Sequence, residues 1–301
     1  MKKAVLQVQM FGGFSMIYEG KKLMFERNFT SKTAQLLQIL FLHVNNGIAK
    51  ESLLEFLYDR DDVENRNASL NNTIFRLRKQ LETAGLPKGR YFTLNNGFYC
   101  WNQEVPAIVD VHSFEKKIEE GKRTEDETAR EEILMEACSL YTGEFLPIMI
   151  GEDWVTVANT YYQKLYFEAI QEVSAWLMKK KCFEKLYELT TAALKIYPFE
   201  DWRLLQIDSL IAMNRYQDAI HIYKETTHLF FEELGLSPTP EMLLRFQLIS
   251  ERMQQSVSAI EEIKDDLKEK GERTGAYYCT FPSFIDIYHV VSRMMERTVL
   301  S

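Results

Sequence analysis

The 301-residue chain has little of what staples, kinks or loosens a fold. Its four cysteines, Cys100, Cys138, Cys182 and Cys279, lie 38, 44 and 97 positions apart with no CxxC pair. That spacing argues against a disulfide framework or a zinc site and for reduced thiols in a cytoplasmic protein. Thirteen glycines and seven prolines exclude collagen-like and low-complexity classes. No apolar run approaches the roughly 18–20 residues that a membrane span needs. Two lysines open the chain, but Gln7 and Gln9 interrupt the apolar stretch after them, so the start reads as a strand and not as a signal peptide. P-loop, GxSxG, HExxH and GxGxxG signatures are missing. His221 and His228 stand seven apart with no cysteine near them, which suits surface or packing histidines better than a metal site. The expectation is no enzyme, no cofactor, no metal and no membrane partner.

What is present is core-forming: 46% apolar residues and 13% aromatics. At roughly 100–200 residues per domain, the length suggests two domains. Charge divides unevenly between them. Residues 1–100 hold 14 lysines and arginines against 9 acids, a net +5, and the remainder holds 22 against 35, a net −13. A small anion-binding module tethered to a larger acidic body has this asymmetry.

Leu6, Val8 and Met10 alternate with Gln7 and Gln9, the period of a half-buried strand. Gly12-Gly13 ends it, Phe14, Met16 and Tyr18 repeat it, and Leu23 with Phe25 predicts a third short strand. Thr30 or Ser31 then caps a helix carrying Ala34, Leu37, Leu40, Phe41 and Val44, which Asn45-Asn46-Gly47 stops. A second helix, Lys50 to about Tyr58, buries Leu53, Leu54 and Leu57. Helix, tight turn, helix is the helix-turn-helix arrangement.

In the following segment Leu70, Ile74, Leu77 and Leu81 advance by 4, 3 and 4, so one face of a helix over 66–83 is core. The opposite side carries Ala68, Asn72, Phe75, Arg76 and Lys79, flanked by Asn67, Asn71 and Arg78, with no acid before Glu82. Surface helices ordinarily mix both signs, so an acid-free face of this length suits a phosphate-lined groove; Arg pairs with guanine and Asn with adenine in the main base-reading geometries. Phe75 either touches a thymine methyl or packs against a neighbouring helix, the second being the expectation. A hairpin follows from Arg90 to Trp101, turning at Asn95-Asn96-Gly97.

This order of elements resembles the winged helix-turn-helix of OmpR-type output domains. Ile74-Phe75-Arg76-Leu77-Arg78-Lys79 is similar to that family's recognition helix, an Ile, one variable residue, then Arg-Leu-Arg-Lys. The resemblance implies double-stranded DNA as partner. Arg76 would reach base edges or nearby phosphate, Arg78 would hold phosphate, and Asn71, Asn72 and Thr73 would lie over the groove floor. Asn67, Lys79, Arg90, Asn95 and Asn96 complete the expected DNA-binding set. Tyr99 stands where the family's wing often has an arginine.

From about Val109 helical periods take over: Val111, Phe114 and Ile118, then Ile133, Leu134, Ala137, Leu140 and Tyr141, then a long helix from Trp154. Cys182-Phe183-Glu184-Lys185-Leu186-Tyr187 and Arg215-Tyr216-Gln217-Asp218-Ala219-Ile220 lie 33 residues apart, with Leu177 matching Leu210. Such a period is of the tetratricopeptide type. The aromatics Tyr161, Tyr162, Tyr166, Phe167 and Trp176 read as packing between helices, with a ligand groove as the alternative. Thr239 caps a further helix with Pro240 at its first position.

Leu140–Pro147 (LYTGEFLP), Glu152–Val155 (EDWV) and Glu233–Glu241 (ELGLSPTPE) are similar to the bacterial transcriptional activator domain. That domain follows a winged helix in the Streptomyces antibiotic regulatory protein family, and the resemblance spans about residues 4–250. It implies transcription activation, contacts to RNA polymerase and a homodimer at least on DNA.

The expected architecture is an α+β winged helix-turn-helix domain followed by an all-α tetratricopeptide-like helical-repeat domain. The expected divisions are 1–104 for the DNA-binding domain, 105–250 for the activator domain, and 251–301 for a linker helix and the start of a truncated C-terminal region. Met253, Val257, Ile260, Lys264 and Leu267 suggest a short coiled-coil seam or a solvated linker, and Phe284, Ile287, Tyr288, Val291 and Met294 an apolar stripe. The alternative function is a non-catalytic protein-interaction scaffold whose winged domain binds protein.

Overall fold

The computed structural model describes residues 4–25, 28–59, 64–102, 104–256 and 281–299. The chain divides into two compact units, Met1–Trp176 and Leu177–Ser301.

The first unit opens with β1 (Leu6–Gln9), β2 (Ser15–Tyr18) and β3 (Lys21–Lys22). The third strand forms two residues before the expected Leu23–Phe25 pair. The Glu19-Gly20 turn sets Tyr18 opposite Lys21, and pairing is spent by the time Leu23 turns inward. Next come α1 (Lys32–Leu42), β4 (Ile48–Ala49), α2 (Lys50–Tyr58), α3 (Arg66–Ala84) and the hairpin β5 (Phe92–Asn95) and β6 (Phe98–Trp101). Ser31 caps α1, its hydroxyl accepting the Ala34 N–H at 3.1 Å. Ile48 and Ala49 are a short edge strand on β6, giving a three-stranded sheet in the order β4-β6-β5. Helices α1, α2 and α3 pack on one another, and α1 lies against β6.

The chain then returns to its first strand. β7 (Ala107–Val109) pairs parallel with β1, so the first sheet runs β3-β2-β1-β7. Helices α4 (Asp110–Arg123) and α5 (Glu127–Leu140) form a hairpin, followed by a 3-10 turn (Pro147–Met149) and the long α6 (Asp153–Lys179). Burial of Phe11, Phe114, Tyr141, Phe145, Tyr162 and Tyr166 builds an aromatic core at the exit of β1. Tyr141, Gly143 and Phe145 of the LYTGEFLP segment sit directly on that exit. Phe11 bridges Phe145, Gly12 N–H donates to the Glu144 carbonyl at 2.8 Å, and a Cβ on Gly143 would lie 2.6 Å from Gly12 Cα. Only a glycine lets the two backbones approach so closely.

In the second unit α7 (Phe183–Ile196), α8 (Trp202–Ala212), α9 (Tyr216–Leu234) and α10 (Pro240–Ser256) pack in sequence around Ile207, Leu210, Tyr223 and Ile249. The 33-residue period is visible as two equal junctions. Lys181 and Asn214 both take left-handed φ, 58° and 59°. The next N–H, of Cys182 or Arg215, reaches back to Leu177 or Leu210 at 2.9 and 2.8 Å. Both are Schellman endings. Asp208 and Arg245 join α8 to α10 through two hydrogen bonds of 2.8 and 2.6 Å. Thr239 caps α10, and α11 (Phe281–Val299) exposes Phe284, Ile287, Tyr288 and Val291. Beyond Met253, the expected seam through Leu267 lies outside the described residues. No helix among the described residues is long and apolar enough to cross a membrane.

Candidate nucleic-acid interface

Helix α3 is fixed at both ends and along one side. The Asn65 side chain accepts the Ala68 N–H at 2.9 Å, and Gly85 ends the helix in the left-handed conformation. Leu70, Ile74, Leu77 and Leu81 are buried, as their 4-3-4 spacing predicts. The other side faces solvent, with Asn67, Ala68, Asn71, Asn72, Phe75, Arg76, Arg78 and Lys79 all exposed.

Two side chains depart from expectation. Thr73 does not lie over a groove floor: it is 8% exposed, its Oγ1 donates to the Ser69 carbonyl at 2.9 Å and lies 2.8 Å from the buried Tyr58 hydroxyl. Three residues after Leu70 and four before Leu77, it belongs to the core stripe, a signal that its polarity masks. Phe75 does not pack against a neighbouring helix; it is 70% exposed, in the middle of the basic face.

Arg78 is the best-positioned cation. Its guanidinium lies over the Phe92 ring, 5.2 Å from the centroid, which braces α3 against β5. The same charge draws down the Tyr99 hydroxyl, although burial, the larger effect, leaves that pKa raised. Tyr99 is buried in the hairpin, so the position where relatives often carry an arginine points inward. No carboxylate among the described residues lies within ion-pair distance of Arg76, Arg78 or Lys79; Arg66 at the helix start has Asp59 at 3.8 Å. Residues 64–102 hold six lysines and arginines against two acids. Arg90, Asn95 and Asn96 are exposed on the hairpin, Asn96 at its tip with φ 49° and Asn95 donating to Thr93 Oγ1 at 3.3 Å. The Phe92 brace was invisible in the sequence, because it links residues 14 apart across a loop of no regular period.

The LYTGEFLP, EDWV and ELGLSPTPE segments all fall within one matched region. Residues 109–249 match the family model of the bacterial transcriptional activator domain. The activator-domain match supports a transcription regulator of activator type. Among solved structures, Mycobacterium tuberculosis EmbR, determined in complex with a low-affinity phosphopeptide, has a similar fold. The TM-score is 0.54 at 16% identity, covering 90% of this chain and 74% of that one. No curated protein sequence matches.

Proposed function

We propose that the chain is a sequence-specific DNA-binding transcription regulator that activates its targets, with residues 1–104 acting as a winged helix-turn-helix and α3 entering the major groove of double-stranded DNA. One observation carries the reading: α3 presents Arg76, Arg78 and Lys79 to solvent with no carboxylate partner among the described residues, on a face that is otherwise Asn and Phe. Cations left unneutralised in this way are free to displace counterions from phosphate. Arg76, Asn71, Asn72 and Phe75 are the base-facing group, Phe75 as a thymine-methyl contact. Arg78, held by Phe92, and Lys79, Arg90, Asn67, Asn95 and Asn96 serve the backbone. Residues 105–250 act as the activator module, which engages RNA polymerase and supports a homodimer on DNA, in the cytoplasm.

Duplexes selected from a random pool by the full chain test the reading. Affinity for them falls linearly with salt on logarithmic axes, and each phosphate contact removed lowers the slope by about 0.9. Arg78→Ala flattens the slope and keeps the sequence preference; Arg76→Ala costs ~1–3 kcal/mol and relaxes the preference at one base pair. A folded Arg76→Ala/Arg78→Ala chain that selects and binds the same duplexes at full strength returns the scaffold alternative.

A further inference from the structure

Within the first unit, the end of α1 and the turn after it, together with α2, α4 and the first turns of α6, enclose a cavity of about 600 Å³, within the range of small-molecule sites. Leu42, His43, Phe56, His112, Trp154 and Tyr161 form its walls, so most of the lining is apolar or aromatic. Its charged groups are already matched within the protein. His112 is held between the Glu115 carboxylate at 3.0 Å and the Phe41 carbonyl at 3.1 Å. Asp153 stands in the first turn of α6, where the helix dipole favours a carboxylate. Burial, aided by the nearby charge of His112, holds the His43 imidazole below its usual pKa and so neutral at pH 7. One group is left over. Trp154 is only 7% exposed, and its Nε1–H has no hydrogen-bond partner among the described residues. A buried donor left unpaired is costly and rare.

We propose that this cavity binds an uncharged, ring-bearing small molecule that offers a carbonyl-type acceptor to Trp154, and that its occupancy changes DNA reading. A charged ligand finds no unmatched counter-charge on these walls, whereas aromatic surface and one open N–H suit a neutral one. The cavity is bounded by His43, Asn45 and Asn46 of the turn that joins α1 to the segment carrying α2, so a ligand there touches the supports of α3. The effector role rests on the DNA-binding reading above; the ligand site does not.

The test is a titration of the full chain with prodan, an uncharged naphthalene ketone whose emission shifts to the blue in apolar sites. Saturable one-to-one binding is expected. Trp154→Phe, which removes the N–H and keeps a ring, weakens it roughly fivefold or more. Val157→Trp abolishes it, because Val157 also lines the cavity, is 71% exposed and can grow without touching the core. Circular dichroism confirms that both variants fold, and the anionic anilinonaphthalene sulfonate does not displace prodan. Absence of prodan binding, or equal binding by all three chains, overturns the site. Prodan-saturated protein with unaltered affinity for the selected duplexes overturns the effector role. Loss of wild-type DNA binding would remove that role together with the DNA reading, while the prodan titration would still decide the site.

Discussion

Thr73 turns its hydroxyl away from the solvent face of α3 and into the seam between α2 and α3, where it meets the Tyr58 hydroxyl at 2.8 Å. Both side chains are buried, so each depends on the other for its hydrogen bond. Thr73→Val strands the tyrosine hydroxyl and costs about 1–2 kcal/mol in a urea titration. The Tyr58→Phe/Thr73→Val pair recovers much of that loss, since an apolar pair leaves nothing unsatisfied. If Thr73 served DNA instead, Thr73→Val would lower affinity for duplex with stability unchanged. The sequence misled here for a physical reason: the core stripe was read from Leu70, Ile74, Leu77 and Leu81 alone, and a polar residue on it looks like surface. Arg76 and Lys79 were legible because exposure on a helix follows from its period. The bracing of Arg78 by Phe92 depends on how a loop closes, which no period encodes.

Helix ends and repeats were the most legible elements. Asn65 and Gly85 bracket α3 within a residue of the expected span, and the 33-residue offset returns as two Schellman junctions with matching geometry. The third strand was misplaced because two residues of pairing carry almost no alternation to read. The LYTGEFLP segment was recognisable only as a resemblance, and the structure supplies its reason. Gly143 lets residues 143–145 lie against Phe11 and Gly12. A methyl there collides with backbone, which cannot rotate away as a side chain would. Gly143→Ala is therefore expected to cost at least ~1–3 kcal/mol, the range for overpacking a close-fitted core. Gly151→Ala, where a Cβ meets nothing within 4 Å, is expected to be near neutral. Equal midpoints for the two variants in thermal unfolding would contradict this account of the motif.

At the scale of the molecule, contact between distant segments decides what charge and period cannot. The expected DNA-binding module ends at 104, yet the unit packed around it runs to Trp176, because β7 joins β1 and Asp110 seals the join. That carboxylate accepts N–H groups of Met10 and Phe11 at 2.9 Å and of Val111 at 2.8 Å. Burial still outweighs these bonds and pushes its pKa up to about 6. A second tie joins α4 to α1: with Phe41 carbonyl and Glu115 carboxylate both acceptors, His112 satisfies the two together only as imidazolium. Burial pulls its pKa down, but the bonds to Glu115 and Phe41 prevail and leave it raised. The signs of the resulting pH dependence differ. Asp110 binds its proton more tightly folded than unfolded, so its contribution is lost as pH climbs from about 4 to 6. His43, held low by burial and by His112, adds stability as pH rises toward about 6.5. The tie through His112 is at full strength below about 6.5 and drains away as pH rises through its elevated folded value. Above neutrality only this last slope remains among the three. The unfolding temperature of the first unit is thus expected to fall between pH 6.5 and pH 8, with His112→Gln destabilising the protein at pH 6 and hardly at all at pH 8.5. A wild-type profile that is flat across that interval, or a His112→Gln deficit of equal size at both ends, would mean that the imidazolium does not fasten α1 to α4.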